Sequence, residues 1–314
     1  MSMHTPPDMS LWQGRVDSEE GPLARRWHDR VQPLQSGAAK GIVLLGFACD
    51  EGVGRNQGRT GAREGPLAIR RALANLAWHH DGPVYDGGDV YCEGHDLEGA
   101  QTELARQLGH ALDAGHFPLV FGGGHEVAFG SFMGLARHAE SKKQNPRIGI
   151  VNFDAHFDLR AGSRGNSGTP FRQIADACIA RGTSFSYLVF GISELANTDA
   201  LFHRARELGV QWRTDEECAR ESPANLRDTL LQFADKVDWL YLTVCLDALP
   251  AGVAPGVSAP AAFGIELKVV EALIDAAKTT RKLKLADIAE LSPAFDPDGR
   301  TARVAARVAW RVTR

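Results

Sequence analysis

The chain has few cysteines, and they follow no pattern. Five occur in 314 residues, at Cys49, Cys92, Cys178, Cys218 and Cys245. An odd number at irregular spacing excludes a disulfide framework and fits a reducing compartment. No Cys-x-x-Cys pair offers a zinc knuckle. No run approaches the roughly 18 apolar residues that a transmembrane helix requires. The segment from Met1 to Pro7 has neither a basic n-region nor an apolar h-region, so no secretory signal is expected and the expected compartment is the cytoplasm. Positive charge is not in excess either: the formal net charge of -4 argues against a nucleic-acid surface or an anionic membrane as partner. An anionic small molecule would have to be recognised by local arginines. There is no Pro/Gly/Ser-rich linker and no internal repeat, which favours one large domain over two. The sequence leaves a homo-oligomer open.

Hydrophobic residues make up 44% of the chain, ample for a sizeable core. Residues 1–38 are polar and contain proline, and read as an N-terminal arm lying on a domain of residues 39–314. Strand-like runs are expected near 41–47, 83–86, 117–121, 147–153, 186–191, 209–212, 238–246 and 284–290. Helical patterns fall near 66–79, 97–114, 126–139, 170–181, 199–208, 224–236, 266–278 and 301–312. Leu97, Ala100, Leu104, Leu108 and Leu112, for example, form one stripe at spacings of three and four. Strands alternating with helices imply an α/β fold: a three-layer αβα sandwich around a mostly parallel sheet of about eight strands.

Chemistry concentrates where three of these strands end. Asp154, His156 and Asp158 follow the apolar run 147–151. Their spacing of two would put all three side chains on one side of an extended backbone. Two carboxylates and an imidazole packed together are costly without a cation between them, and a hard divalent metal fits. His125 follows Phe117–Phe121 after three glycines that permit a tight turn. Cys245 and Asp247 end the apolar run that starts at Trp239, again two apart. In open parallel α/β sheets the carboxyl edge of the strands is where ligands bind. The loop 159–168, rich in glycine and serine, directly follows the Asp/His motif and reads as functional.

Gly122-Gly-Gly-His125-Glu126, Asp154-Ala-His-Phe-Asp158 and Cys245-Leu-Asp247 resemble the three metal motifs of the ureohydrolase superfamily, which includes arginases, agmatinases and formimidoylglutamases. The stretch from Gly61 to Pro66 is similar to that superfamily's N-terminal Gly-Ala-Arg-x-Gly-Pro element, and Glu290 to Pro293 to its Glu-x-Asn-Pro element. Trp12 to Asp17, Ser167 to Phe171 and Leu249 to Pro260 point to the formimidoylglutamase branch. The resemblance implies an arginase-like fold and a hydrolase that cleaves N-formimidoyl-L-glutamate to L-glutamate and formamide in histidine degradation. It implies a binuclear manganese site. His125, Asp154 and Asp158 would hold one ion, and His156, Asp154 and Asp247 the other, with position 245 shared by both. Carboxylate and imidazole ligands suit manganese better than zinc.

Position 245 departs from the superfamily pattern, which has Asp there. Cys245 is either a soft ligand that must first lose its proton or a small buried apolar residue. Ser167 stands where agmatinases carry His, a plausible proton shuttle. Asp158 is expected to take or steer a proton, and Glu290 to pair with a cationic amidinium. For the substrate's carboxylates Arg160 is the first candidate, Arg172 the second and Arg63 a weaker third. By resemblance, Asn197 and Thr198 would offer polar contacts to the amino-acid end. Two alternatives stay open. One is an agmatinase-like hydrolase of other amidines or guanidines. The other, motivated by Cys245, is a metal-poor relative that serves as a binding or assembly protein.

Overall fold

The apolar runs become strands of one sheet in the computed structural model, which describes residues 3–314. The first two residues of the expected arm lie outside the described residues. In chain order the strands are β1 (His4–Thr5), β2 (Gln32–Pro33), β3 (Ile42–Ala48), β4 (Val84–Tyr91), β5 (Phe117–Phe121), β6 (Ile148–Phe153), β7 (Ser186–Ile192), β8 (Gln211–Thr214), β9 (Trp239–Cys245) and β10 (Leu283–Ala289). The helices are α1 (Glu51–Arg55), α2 (Gly65–Ala74), α3 (Leu97–Asp113), α4 (Val127–Ser141), α5 (Pro170–Ala180), α6 (Asp199–Glu207), α7 (Asp215–Arg220), α8 (Pro223–Asp235), α9 (Leu267–Thr279) and α10 (Arg300–Thr313). The sheet order is β1-β4-β3-β5-β10-β9-β6-β7-β8, with β2 also on β4. Among the described residues only β1 runs antiparallel.

Each strand divides its side chains between two apolar layers. Leu119 and Phe121 of β5 and Val151 and Phe153 of β6 face a cluster with α2, α8, α9 and α10. Val120 and Ile150 face the opposite cluster with α3, α4, α5 and α6. This produces the three-layer αβα sandwich, and burial on both faces explains why the central strands are apolar throughout. The two two-residue strands and the short helices α1 and α7 were not expected; none is long enough to show a period. Helix α7 instead carries a local start signal, a capping box in which Thr214 and Glu217 bind each other's backbone N–H.

Residues 3–38 are mostly exposed or half-buried, but three buried residues pin the segment to the domain. Trp12, Trp27 and Val31 belong to the same buried cluster as α2 and β5. Trp12 Nε1 donates to Asp86 Oδ2 at 2.8 Å. The same carboxylate takes a two-point bond from Arg70, through Nε at 2.8 Å and Nη2 at 3.0 Å. Arg70 and Asp86 are each 1% exposed. An unpaired charge at that depth is strongly unfavourable, so α2, β4 and the N-terminal segment are tied at one point.

The topology settles where the site lies. β5, β10, β9 and β6 are consecutive neighbours in the sheet and parallel. Their carboxyl ends therefore lie side by side, and the residues that follow each of them meet there.

Candidate metal centre

The turn after β5 is built by backbone approach. A Cβ on Gly123 would stand 1.6 Å from the carbonyl oxygen of Cys49, so no other residue fits. Gly122 N donates to Ile288 O at 2.7 Å, Glu290 N to Gly123 O at 2.8 Å, and Gly124 N to Cys49 O at 3.0 Å. The turn is thus stitched to β10 and to the end of β3, and His125 is held just ahead of α4. Thr243 Oγ1 lies 2.9 Å from His125 Nε2 and fixes the ring. That leaves Nδ1 facing the carboxylates.

Asp154, His156 and Asp158 do converge, but not by the extended period that their spacing suggests. β6 stops at Phe153, and residues 154–158 curl in a loop. Asp154 Oδ1 accepts from the N–H of His156 at 2.8 Å, and Asp158 adopts a left-handed backbone with φ 49°. Likewise β9 ends at Cys245, and Asp247 sits in a 3-10 turn spanning Leu246–Ala248. Turn geometry, not strand alternation, brings these side chains together.

His125 Nδ1 lies 2.9 Å from Asp154 Oδ2 and 3.1 Å from Asp158 Oδ2. His156 Nδ1 lies 3.2 Å from Asp247 Oδ2 and 3.5 Å from Asp154 Oδ1. Asp154 therefore faces both imidazoles, one with each oxygen. Ligand atoms of His125, Asp154 and Cys245 lie within 4.8 Å of one another, and so do those of Asp154, His156 and Asp247. The thiol of Cys245 thus faces the cluster. His125 Nδ1 is buried and close to two carboxylates, yet makes a well-directed hydrogen bond to neither; Asp247 Oδ1 is buried without a partner. Atoms that converge without bonding to each other suit a cation between them, and two such groups sharing Asp154 suit a pair of hard divalent ions.

The electrostatics agree. Burial alone would lower the basicity of both imidazoles, but it is outweighed: Asp154 and Asp158 hold the His125 imidazolium well above its usual range, and Asp247 and Asp154 do the same for His156. Burial and then the Asp154 charge push Asp158 up to about 6. Burial, Glu126 and Asp247 push Glu290 up to about 8. Burial and the charges of Asp247, Asp154 and Glu290 hold the Cys245 thiol well above its ordinary range. The metal-free cluster is short of positive charge.

Above the cluster is a cavity of about 320 Å³ lined by Asn56, Gln57, Gly58, Arg59, Arg160, Ser167, Ser258 and Ala259, with His125, His156, Asp158, Cys245, Asp247 and Glu290 on its floor and walls. Glu290 receives the N–H of His125 at 2.9 Å, and its backbone is left-handed with φ 74°. Arg160 lines the cavity, and its guanidinium has no ion-pair partner among the described residues. Arg172 does not line it: the side chain lies along α5, 3.2 Å from Asp176. Arg63 is exposed beside Glu64, outside the lining. Asn197 is buried and outside the lining too, with its carboxamide spent on the backbone. Asn56 and Arg59 were missed by sequence reasoning. They follow the end of β3, and the rule that loops at the carboxyl edge line the site would have found them. Arg59 donates through Nη2 to Val257 O at 2.6 Å and through Nε to Ser258 O at 2.9 Å, which ties two rim loops together.

The model for the Arginase family matches residues 40–313. The chain belongs to the arginase family. Among curated members it is 55% identical to the formimidoylglutamase of Aromatoleum aromaticum, covering 100% of this chain and 94% of that protein. It is 56% identical to the formimidoylglutamase of Aeromonas hydrophila, with 98% of each chain covered. The formimidoylglutamase of Bacillus subtilis shares the fold at a TM-score of 0.84 and 22% identity, over 96% of this chain and 93% of that one. A formiminoglutamase from Trypanosoma cruzi, solved with Mn2+, superposes at a TM-score of 0.77 and 25% identity, over 98% of both chains. No helix among the described residues is long and apolar enough to cross a membrane.

Proposed function

We propose that this arginase-family chain hydrolyses N-formimidoyl-L-glutamate to L-glutamate and formamide in histidine degradation, with manganese as its cofactor. The observation that carries this reading is the meeting, in one cavity, of an Asp154-centred cluster fit for two cations and an unpaired guanidinium, Arg160. Full-length relatives of that name at 54–56% identity support it. His125, Asp154 and Asp158 would hold one ion and His156, Asp154 and Asp247 the other, with Cys245 between them. When bound, a pair of divalent ions supplies Lewis acidity and lowers the pKa of coordinated water.

The protein's own groups do the rest. Glu290, buried and crowded by Glu126 and Asp247, gains from a cation and would receive the amidinium end of the substrate. Asp158 borders the cavity, where its carboxylate can accept a hydrogen bond from a group bound there and steer its proton. Arg160 offers a fork to a substrate carboxylate at the mouth. The larger neighbouring cavity of about 840 Å³ is a poor host for a dicarboxylate, because Glu194, Asp215, Glu216 and Glu217 line it. Ser167 lines the metal cavity, and its Oγ accepts from Asn56 Nδ2 at 3.2 Å. An agmatinase-like reading asks for a histidine there. All five cysteines are free, consistent with a cytoplasmic enzyme.

The test is a panel of N-formimidoyl-L-glutamate, agmatine and L-arginine, assayed on manganese-loaded protein for formamide or urea. Turnover of the first alone is expected. Comparable kcat/KM on agmatine or arginine would favour the broader amidine hydrolase. No turnover at saturating manganese would favour the metal-poor relative that Cys245 suggests.

A further inference from the structure

His156 is bracketed by a single side chain. Asn197 Oδ1 accepts the N–H of Phe157 at 3.0 Å, and Asn197 Nδ2 donates to Ala155 O at 2.8 Å. The second Nδ2 hydrogen goes to Ser193 O at 2.8 Å. The carboxamide therefore uses both donors and its acceptor on backbone, and the residue is 6% exposed. It lines neither of the two cavities beside the cluster. This placement replaces the expected contact with the substrate's amino-acid end.

The grip falls on peptides that aim two side chains. Ala155 and Phe157 flank His156, and Phe157 immediately precedes Asp158. The Phe157 carbonyl is held from the other side by Tyr187 OH at 3.4 Å. Asp158 then takes a left-handed backbone, sparsely populated for a residue with a Cβ, and persists there only because its surroundings over-determine it. Released, the loop would relax toward negative φ, and the Asp158 carboxylate would swing away from His125. Ser193 lies just beyond β7, so Asn197 fastens the loop after β6 to the end of the neighbouring strand.

We propose that Asn197 is a positioning residue for the metal centre: it clamps the backbone on both sides of His156, and so aims His156 at Asp154 and Asp247 and Asp158 at His125. This rests on the reading that the cluster holds manganese. Partners that orient ligands in this way typically carry about 10–100-fold in metal affinity.

The test measures Mn2+ binding without substrate, from the six-line paramagnetic resonance signal of free Mn2+, on wild type, Asn197→Ala and Asn197→Asp. Asn197→Ala is expected to bind about 10–100-fold more weakly. At manganese concentrations that saturate the variant, its KM for N-formimidoyl-L-glutamate should equal that of wild type. Asn197→Asp keeps the acceptor for Phe157 N–H but sets a carboxylate against the Ala155 and Ser193 carbonyls; it should also lose affinity, and it carries the test if the alanine variant fails to fold. A folded variant with wild-type Mn2+ affinity overturns the proposal. A raised KM with unchanged Mn2+ affinity also overturns it, by returning Asn197 to the substrate. If wild type binds no Mn2+, the metal reading itself falls, a result told apart because the unaltered protein fails as well.

Discussion

Loading this site with metal should expel protons, and the number can be worked out from the cluster. In the metal-free protein the Asp154, Asp158 and Asp247 carboxylates favour the imidazolium forms of His125 and His156 and hold both well above their usual range. A cation coordinated at Nδ1 must displace that proton. Two imidazoles give up to two protons, and the Glu290 carboxyl, pushed up to about 8, adds a further fraction if it ionises as the cations arrive. Each proton released makes binding more favourable by about 1.4 kcal/mol per pH unit, so two imply a roughly 100-fold rise in overall manganese affinity per unit over the range in which both imidazoles of the metal-free protein stay protonated. Calorimetric titration in buffers of different ionisation enthalpy counts the protons directly. A flat affinity across that range, or no proton released at pH 7, would refute the reasoning.

The sign for stability runs the other way. An imidazolium whose folded pKa is raised contributes stability that is fully present below its unfolded value, near 6.5, and is lost as pH rises through the folded value. The lowered carboxyl of Asp154 is the same ion pair seen from its partner and is not a second contribution. Metal-free protein should therefore lose thermal stability as pH is raised from neutral into the alkaline range, while manganese-loaded protein should not show that loss.

Four substitutions test other parts of the structure. Arg160→Lys removes a fork that is solvent-exposed in the free protein, so roughly 1.5–3 kcal/mol is at stake, a ten- to hundred-fold fall in kcat/KM with KM raised and metal content intact; wild-type KM would make Arg160 a surface residue, and Arg172→Lys is expected to change nothing. Cys245→Asp replaces a thiol whose deprotonation burial and Asp247 oppose with a hard bridging carboxylate, and should tighten Mn2+ retention on dialysis; unchanged or poorer retention would mean that the site is tuned for sulfur. Asp86→Asn leaves Arg70 buried without its two-point partner and should cost about 3–5 kcal/mol, a fall in Tm of roughly 5–15 °C by calorimetry; an unchanged Tm would show that Asp89, the other partner of Arg70, suffices.

How much the sequence could tell follows from the range over which each signal acts. Burial on both faces leaves a continuous apolar run, so the central strands could be read to within a residue or two: 117–121 was expected and Phe117–Phe121 is observed. Strand ends then located His125, Asp154, Cys245 and Asp247, because a parallel sheet gathers its carboxyl ends at one edge. What lies beyond the ends was not legible in the same way. A period of two was read through Asp154, His156 and Asp158, but β6 had already stopped, and φ 49° at Asp158 has no signature in the residue names. Arg172 and Asn197 show the same limit from the other side. Arg172 was the second candidate for a substrate carboxylate, at an expected helix N-terminal turn, yet at the fourth residue after it on α5 stands Asp176, a local partner that is nearer than any ligand.

Asn197 was expected, by resemblance, to offer a polar contact to the amino-acid end of the substrate. Its three bonds reach residues four to 42 positions away, so no local pattern could have announced them. The two errors have one cause. Residue type says what a side chain can bind, while the fold decides whether the backbone has bound it first. A polar residue at this edge is a candidate for substrate only when its hydrogen-bonding capacity is left over. By that criterion Arg160 passes, Arg59 passes in part because Nη1 is not committed to the rim carbonyls, and Asn197 does not. Arg59, whose guanidinium also stacks on the Phe295 ring at 4.1 Å, is the next arginine lining the cavity after Arg160 and is expected to receive the second carboxylate of a glutamate-derived substrate. Substitution there should disturb both that contact and the tie between the loops at residues 55–60 and 255–260.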